Sequence, residues 1–409
     1  GLWVHSDVKA GRDAGEICGI DPIGVEATQD GDSLLALDAD CVSYMAHSDI
    51  RPAEVVDDDR LTVFEPRFDG LDFWESLEGM RIALDHPEVV GPTNRYGDLS
   101  VDASGSVTPD GETRVGGLRL RPGDRNPERL TVDYTAIGRP PDVDVGARYA
   151  GRLEGIVDYG YGTYRLHVQQ PLPELMAPGL GPESTDLAAT EHRLTIATFN
   201  VLNLSATSSR SHFRALAETL VRGLGGPDVV ALQEIQDDSG PTDDGTVTAE
   251  ATLERLIAAV IGRGGPAYEY RQIDPADHRD GGQPGANIRP AFLFNPERVE
   301  FPDRGSLGPL TAVALVEDER GMGLSTNPGR IAPAAPAFNG DESRGFSASR
   351  KPLVAEFQFG TQRVFVINNH WTSKGPDEPA FGAAQPPVWL SEAQRSQQAR
   401  LVTDFVTEL

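Results

Sequence analysis

The alternation of apolar and polar positions gives the two halves of the chain a different character. Between residues 73 and 170, short apolar runs are separated by turn residues such as Gly116-Gly117 and Gly160-Tyr161-Gly162. The runs predict these strands: Met80–Leu84, Leu99–Val101, Thr113–Leu120, Arg148–Val157 and Tyr164–Val168. Short strands separated by turns are typical of a small β-barrel or sandwich. The following stretch, residues 171–192, is rich in proline and glycine, and we interpret it as an interdomain linker.

After residue 192, continuous apolar runs alternate with segments of helical periodicity. The runs predict these strands: Arg193–Phe199, Asp228–Gln233, Tyr268–Ile273, Arg289–Asn295, Pro352–Phe359 and Arg363–Asn369. The residues spaced for a helix predict these helices: Phe213–Leu224, Ala249–Ile261 and Gln394–Leu409, the last burying Leu401, Phe405 and Leu409. A Pro/Gly-rich stretch, residues 302–349, is expected to be a surface loop. Interleaved strands and helices indicate an α/β fold, so we predict a β-rich region over 1–185 and an α/β domain over 186–409.

Composition limits the possible partners. The 409 residues carry a formal net charge of −27, which excludes attraction of the whole molecule to nucleic acid or anionic lipid. A nucleic-acid substrate would therefore need a local basic patch, metal ions or both. The sequence contains no run of about 18 apolar residues, so it predicts no membrane-spanning helix. The chain begins Gly-Leu-Trp-Val-His, without Met or a signal peptide, so we expect a processed form or a fragment.

The two cysteines leave two possibilities open. Cys18 and Cys41 are too few for a zinc site without help from other ligands, and they form either a disulfide or two inert thiols. A disulfide would fit an oxidising compartment, and closing that loop would add about 3 kcal/mol of stability in the chain-entropy model.

Two predicted strands end in polar residues. Asn200 follows the strand 193–199, and Glu234 follows the strand 228–233. In α/β sheets, ligands bind in the crevice beyond the carboxyl ends of the strands. A glutamate there is a good ligand for Mg²⁺ or Mn²⁺, and an asparagine beside it can hold a phosphate oxygen or orient the glutamate. The alternative is that both residues only cap strands.

A histidine and an arginine flank the last two predicted strands. His370 follows the strand 363–369 and can act as a general base or stabilise a developing charge, although a lone histidine can also be structural. Arg350, beside Lys351, begins the preceding strand, and arginine suits bidentate phosphate binding. The alternative for Arg350 is a solvated strand start.

The polar segments occur in an order that matches a known family. They are Thr198–Asn203, Asp228–Ile235, Ser349–Leu353 and Asn368–Gly375, with Ala286–Asn295 as a further matching strand. This series resembles the endonuclease/exonuclease/phosphatase superfamily, which has the DNase I-like fold. The closest group looks like the large secreted bacterial nucleases, whose catalytic domain follows an OB-like region. Glu75–Arg81 and Gly91–Gly97 look like parts of that region.

The resemblance implies a DNase I-like α/β sandwich after a β-rich OB-like region, and a divalent-metal-dependent phosphodiesterase in which water is the nucleophile. Glu234 would bind Mg²⁺ or Mn²⁺, with Ca²⁺ also compatible, and Asn200 would assist there. His370 would act near the scissile phosphate, while Arg350 and Lys374 would contact it. The implied substrate is DNA or RNA and the implied location is extracellular or at the cell surface; no protein partner is inferred.

One departure from the family affects the expected activity. The family continues with a Gly-Asp-Phe-Asn-like and a Ser-Asp-His-like segment, and neither occurs before Leu409. We therefore expect the catalytic domain to be incomplete, nearly inactive alone and prone to aggregate. Two alternatives remain: a phosphoesterase of the same fold acting on phospholipid, sugar phosphate or nucleotide, and a non-catalytic cell-surface module.

Overall fold

A computed structural model gives the structure of most of the chain. It describes residues 56–57, 59–103, 113–121, 125–138, 140–169, 171–332, 345–346, 348–379, 382 and 384–409. Cys18 and Cys41 lie outside the described residues, so their pairing stays a prediction. The chain forms two compact units: the first comprises Gly1–Gly181 and Asp377–Val388, the second Pro182–Pro376 and Trp389–Leu409. Among the described residues, no helix combines the length and the apolar character needed to cross a membrane.

The first unit is built around a six-stranded sheet. Its elements are α1 (Gly70–Glu75), β1 (Arg81–Asp85), β2 (Val89–Gly91), β3 (Leu99–Asp102), β4 (Arg129–Asp133), β5 (Arg148–Tyr149), β6 (Arg152–Gly160), β7 (Thr163–Val168) and β8 (Leu175–Met176). The order in the sheet is β1-β6-β7-β4-β3-β2, while β5 and β8 form a separate pair. Within the six-stranded sheet, β4 and β7 are parallel and the other neighbours antiparallel. The strands at the two ends of the order, β1 and β2, are consecutive in the chain.

The alternating pattern of this unit places one face of each long strand in the core. In β7, Tyr164, Leu166 and Val168 belong to the apolar cluster, as does Leu153 of β6. The predicted strand Thr113–Leu120 is wrong: the chain turns at residues 114–116, and beyond the turn Leu118 and Arg121 form only isolated bridges. Gly116 has a φ of +89°, and a Cβ there would lie 2.8 Å from the Cα of Gly146. The close approach of these two glycines therefore turns the segment.

The second unit contains three sheets and three α-helices among its described residues. Its elements are β9 (Ile196–Leu204), α2 (Arg210–Glu218) with a π-helical turn (Thr219–Gly223), β10 (Val229–Ile235), α3 (Glu250–Ile261), β11 (Glu269–Gln272), β12 (Arg289–Phe294), β13 (Leu315–Asp318), β14 (Gly321–Leu324), β15 (Gly329–Arg330), β16 (Leu353–Phe359), β17 (Gln362–Asn368) and α4 (Glu392–Glu408). The sheets have the orders β11-β12-β10-β9, β15-β16-β17 and β13-β14. Among the described strands of this unit, β9 and β10 pair in parallel and the other neighbours are antiparallel. The chain is thus a mixed α/β protein with several sheets.

The four-stranded sheet is covered on both faces. On one face, side chains of α2 and α3 such as Phe213 and Leu253 pack against Val230 and Leu232 of β10. On the other face, Val229 and Ala231 of β10 share an apolar cluster with strand β16. The rings of Phe292 and Phe357 meet edge to face there, with centroids 5.7 Å apart. Burial on both faces explains why β10 and β12 are nearly continuous apolar runs.

Several predicted boundaries and burials in this unit are wrong. The strand predicted over 193–199 begins at Ile196 and continues through Asn200 to Leu204. The stretch 302–349 contains β13, β14 and β15 rather than only a loop. The predicted buried positions of α4 are also wrong: Leu401, Phe405 and Leu409 are half-buried, and only Gln398 is buried. Phe405 is only partly buried and packs against the apolar cluster of Val313, Leu324, Ile331 and Val354.

Candidate active site

A double irregularity in β9 and β10 creates the position of Glu234. The parallel register runs from Ile196 opposite Val229 to Asn200 opposite Gln233, and it resumes only with Leu204 opposite Ile235. Glu234 has a φ of +65°, and Leu202 and Asn203 have φ values of +54° and +51°. None of the three is glycine, so the backbone is strained at this point of both strands. Such strain is concentrated at functional sites, where the surrounding structure has to hold it.

Hydrogen bonds from β9 hold the carboxylate of Glu234 in place. Asn200 Nδ2 donates to Glu234 Oε1 over 2.9 Å, and the backbone N–H of Asn203 donates to Oε2 over 3.0 Å. The Oδ1 of Asn200 accepts a bond from the backbone N–H of Leu202, which fixes the asparagine itself. At the bulge, hydrogen bonds from the neighbouring strand therefore orient both carboxylate oxygens of Glu234.

His370 reaches the same carboxylate from the other sheet. It lies two residues beyond β17, and its Nε2 is 3.6 Å from Glu234 Oε1. Just before it, the buried Asn368 joins the two sheets: its Oδ1 accepts from Gln233 Nε2 over 2.7 Å, and its Nδ2 donates to the carbonyls of Leu232 and Ala291. Asn368 and Gln233 thus bring the end of β17 to the bulge of β10. The structure places Asn200, Glu234 and His370 together.

Arg350 borders this group and influences its charge. It is 9% exposed, and its Nη2 donates to the carbonyl of Trp371 over 2.6 Å. Burial lowers the pKa of Arg350, while the charge of Glu234 opposes that shift. Burial, and secondly the charge of Arg350, lower the pKa of His370 to about 4, with Glu234 opposing. His370 is therefore neutral at pH 7, with a ring nitrogen able to accept a proton.

Buried polar atoms without hydrogen-bond partners cluster at this site. Within the described part of the chain they include Arg350 Nε, Asn369 Oδ1, His370 Nδ1 and Trp371 Nε1. Buried polar atoms are normally satisfied, so a group of exceptions calls for a bound ion, water or ligand. The four atoms belong to two short segments, and both segments contribute predicted site residues.

Lys374 is not part of the group that the structure assembles. Its side chain is exposed and makes no hydrogen bond or ion pair with any described residue. Arg350, in contrast, contacts the same loop through the carbonyl of Trp371. Of the two cations predicted to contact phosphate, Arg350 is thus buried and hydrogen-bonded, whereas Lys374 is exposed.

The donor set at Glu234 fits a hard divalent cation. Each carboxylate oxygen accepts one hydrogen bond from β9, which leaves further lone pairs for a metal ion. Mg²⁺ is commonly bound through one or two carboxylates, with water and substrate phosphate completing its octahedron. A single ordered carboxylate beside an amide, a neutral imidazole and an arginine meets that description. We therefore regard Glu234 as the residue that would hold the ion.

A second group of carboxylates lies in the first unit. Oxygens of Asp57, Asp59 and Asp69 are within 4.8 Å of one another. Burial, and secondly the nearby charges of Asp57 and Asp59, raise the pKa of Asp72 beside them. The backbone N–H groups of residues 60–62 bond to Asp57 and Asp59, so a turn accounts for two of the three carboxylates.

Three residues that order the site were not singled out from the sequence. Gln233, Asn368 and Gln398 are buried polar side chains with hydrogen bonds to other segments. The signal that could have found the first two is an amide residue at the end of an otherwise apolar strand. Gln398 had no such signal, because it belongs to a helix whose other residues are largely polar.

Comparisons with known proteins give short or distant matches. Residues 43–177 match a family described as Domain of unknown function (DUF8508). An amine dehydrogenase from Streptomyces virginiae is 46% identical over 56 residues, or 13% of this chain. The chain covers 16% of the length of that curated relative.

Two crystal structures of TDP2 from D. rerio are also similar. The first, humanized by 14 mutations, shows 16% identity and a TM-score of 0.27 over 53% of this chain and 56% of that one. The second, complexed with single strand DNA product, shows 17% identity and a TM-score of 0.28 over 53% of this chain and 55% of that one. None of these matches is extensive enough to assign the chain to a family, so the site is interpreted from its own geometry.

Proposed function

We propose that this chain belongs to a divalent-metal-dependent phosphodiesterase that hydrolyses nucleic acid outside the cell. The observation that carries the proposal is the group formed by Asn200, Glu234, His370 and Arg350, which come from two strands, β9 and β10, and from the segments after β17 and before β16. The order of the sequence segments that resemble the DNase I-like fold supports the same assignment. The short distances among Asn200, Glu234 and His370 support the metal and proton-transfer roles that the resemblance implies for them, whereas Lys374, also implied to contact phosphate, lies outside the group.

Each residue of the group has a chemical role in this proposal. A divalent ion held by Glu234 would polarise the phosphate and stabilise the leaving oxygen. Asn200 keeps the Glu234 carboxylate oriented through its 2.9 Å hydrogen bond. Arg350 binds a phosphate oxygen and supplies a fixed positive charge where negative charge develops. His370, neutral at pH 7, accepts or shares a proton beside the scissile phosphate.

We further propose that the first unit is an OB-like barrel. Its six-stranded sheet begins with β1 and ends with β2, which follow each other directly in the chain. If β1 and β2 are two halves of one bent strand, the sheet closes on itself as a five-stranded barrel with one parallel pair, β4 and β7. A small Greek-key barrel of five strands is the architecture of the OB fold.

The experiment that tests the function is a plasmid-nicking assay with Mg²⁺ or Mn²⁺. The assay is run on this chain and on a version extended beyond Leu409 by the Gly-Asp-Phe-Asn-like and Ser-Asp-His-like segments. In the extended version, nicking should require the metal and be abolished by EDTA. Glu234→Gln should remove it, while the matched control Glu297→Gln, at an exposed turn position, should not. Cleavage of a small phosphodiester without nicking would favour the alternative substrates, a phospholipid, sugar phosphate or nucleotide. No metal-dependent cleavage, together with no Mn²⁺ binding at Glu234, would favour a non-catalytic module.

A further inference from the structure

Gln398 occupies an unusual position for an amide side chain. It is the buried residue of α4 and has no solvent exposure, although the helix is otherwise largely polar. A buried amide is stable only when its donors and acceptor find partners. The burial of Gln398 therefore depends on the hydrogen bonds that its amide makes.

The amide of Gln398 joins two segments that are separate in the sequence. Its Oε1 accepts from the backbone N–H of Thr372 over 3.0 Å. Its Nε2 lies 3.0 Å from each of three acceptors: Ser349 Oγ, Thr372 Oγ1 and the carbonyl of Gly345. The hydroxyls of Ser349 and Thr372 are also within 3.3 Å of each other.

These two segments carry the residues proposed to contact phosphate. Ser349 precedes Arg350 directly, and Thr372 lies two residues beyond His370. The Nη2 of Arg350 closes the same ring of contacts by donating to the carbonyl of Trp371. Arg395, one turn earlier on α4, donates to the carbonyl of Thr372 over 2.7 Å. The loop after β17 is thus fixed from two sides, and α4 provides one of them.

We infer that Gln398 is a positioning residue that sets the distance between Arg350 and His370. This inference rests on the proposed function, because it assigns a purpose to that site. Without the amide, the segment of Ser349 and the loop of Thr372 lose the bonds that tie them to one point on α4. The guanidinium and the imidazole would then no longer be held at a fixed spacing for a phosphate between them.

The metal position should not depend on Gln398. Glu234 is oriented by Asn200 and by the backbone of Asn203, which belong to β9. Among the described residues, Gln398 makes no hydrogen bond to β9 or β10. Loss of the amide should therefore weaken phosphate binding and leave metal binding unchanged. A general loss of structure would lower both.

The test uses Gln398→Met, which keeps the approximate volume and removes every hydrogen bond of the amide. Gln394→Met is the matched control, because Gln394 lies one turn away and, among the described residues, donates only to the carbonyl of Gly345. Gln398→Glu is the conservative variant, since its oxygen still accepts from the Thr372 N–H and the two hydroxyls can turn to donate. Mn²⁺ affinity is measured by the electron paramagnetic resonance of the free ion. The affinity of Mn²⁺-loaded protein for inorganic phosphate is measured by ³¹P relaxation.

We expect Gln398→Met to weaken phosphate binding about 10-fold, as outer-shell substitutions often do. Mn²⁺ affinity should stay within about twofold, Gln394→Met should resemble the parent protein, and Gln398→Glu should be intermediate. Phosphate affinity unchanged in Gln398→Met, or Mn²⁺ affinity falling in parallel, would overturn the inference.

Side-chain resonances separate this inference from the proposed function. If the parent protein binds neither Mn²⁺ nor phosphate, the proposed function fails. The position of the two segments is then followed by the NMR signals of Arg350 Nε–H and Trp371 Nε1–H. Gln398→Met should shift both signals and Gln394→Met neither. Unshifted signals would show that Gln398 does not position the segments at all.

Discussion

Asn368→Asp is the substitution that best tests how the two sheets of the second unit are held together. Asn368 is 1% exposed, and its Nδ2 donates to the carbonyls of Leu232 and Ala291 over 2.8 and 2.9 Å. Aspartate has the same shape, so no cavity forms, but it turns both donors into an acceptor facing two carbonyls. Each buried group left unsatisfied costs about 1–3 kcal/mol. We therefore expect a loss of about 3 kcal/mol at pH 7.

Amide hydrogen exchange of β10 and β12 measures this loss inside the second unit, without requiring two-state unfolding of the whole chain. A loss of 3 kcal/mol corresponds to exchange about 150-fold faster for amides that open with these strands. Asn295→Asp is the control, because within the described part of the chain the Asn295 side chain serves only as an acceptor, through Oδ1, for the N–H of Glu297 in an exposed turn. It should change stability by less than about 0.5 kcal/mol. Similar exchange in both variants would refute the role assigned to Asn368.

Three further predictions concern the ionisable groups of the site. Glu234→Gln should weaken Mn²⁺ binding at least about 10-fold, as measured by paramagnetic resonance. It should also cost about 1 kcal/mol of stability in thermal melting, because one of the two hydrogen-bond donors from β9 loses its acceptor. Arg350→Met should weaken binding of inorganic phosphate to the Mn²⁺-loaded protein, whereas Lys374→Met should have little effect, as ³¹P relaxation would show. His370 should titrate near pH 4 by NMR in the metal-free protein. Since the unfolded chain takes up that proton near pH 6.5, the free energy of unfolding should fall as the pH drops from about 6.5 to 4, and His370→Phe should reduce the fall.

The sequence predicted which residues meet better than it predicted how they meet. The polar residues that follow apolar runs, Asn200, Glu234 and His370, do lie close together, although Asn200 and Glu234 are inside their strands rather than beyond them. The bulge at Glu234 could not be predicted. Its positive φ occurs at a glutamate rather than a glycine, so no local preference signals it.

The wrong predictions have identifiable physical causes. The segment 113–121 has the composition of a strand, but the close approach of Gly116 and Gly146 turns the chain there. The strands β13 and β14 were missed because short strands of a solvated hairpin, with exposed Glu317 and Asp318, lack a core-facing pattern. The spacing of the apolar residues in α4 also predicted more burial than the helix has, because Leu401, Phe405 and Leu409 are only half-buried.

The geometry of the site depends on buried amides whose partners are distant in sequence. Gln233 and Asn368 are 135 residues apart, and their bond joins the strand that carries Glu234 to the strand that leads to His370. Gln398 reaches Ser349 across 49 residues and Thr372 across 26. Hydrophobic periodicity places each of these residues on a strand or helix but says nothing about which amide it will meet, since an amide can bond to any backbone. The spacing of Glu234, Arg350 and His370 is therefore set by polar contacts that only the folded chain reveals. Substitutions at these amides should alter the site without touching its ligands.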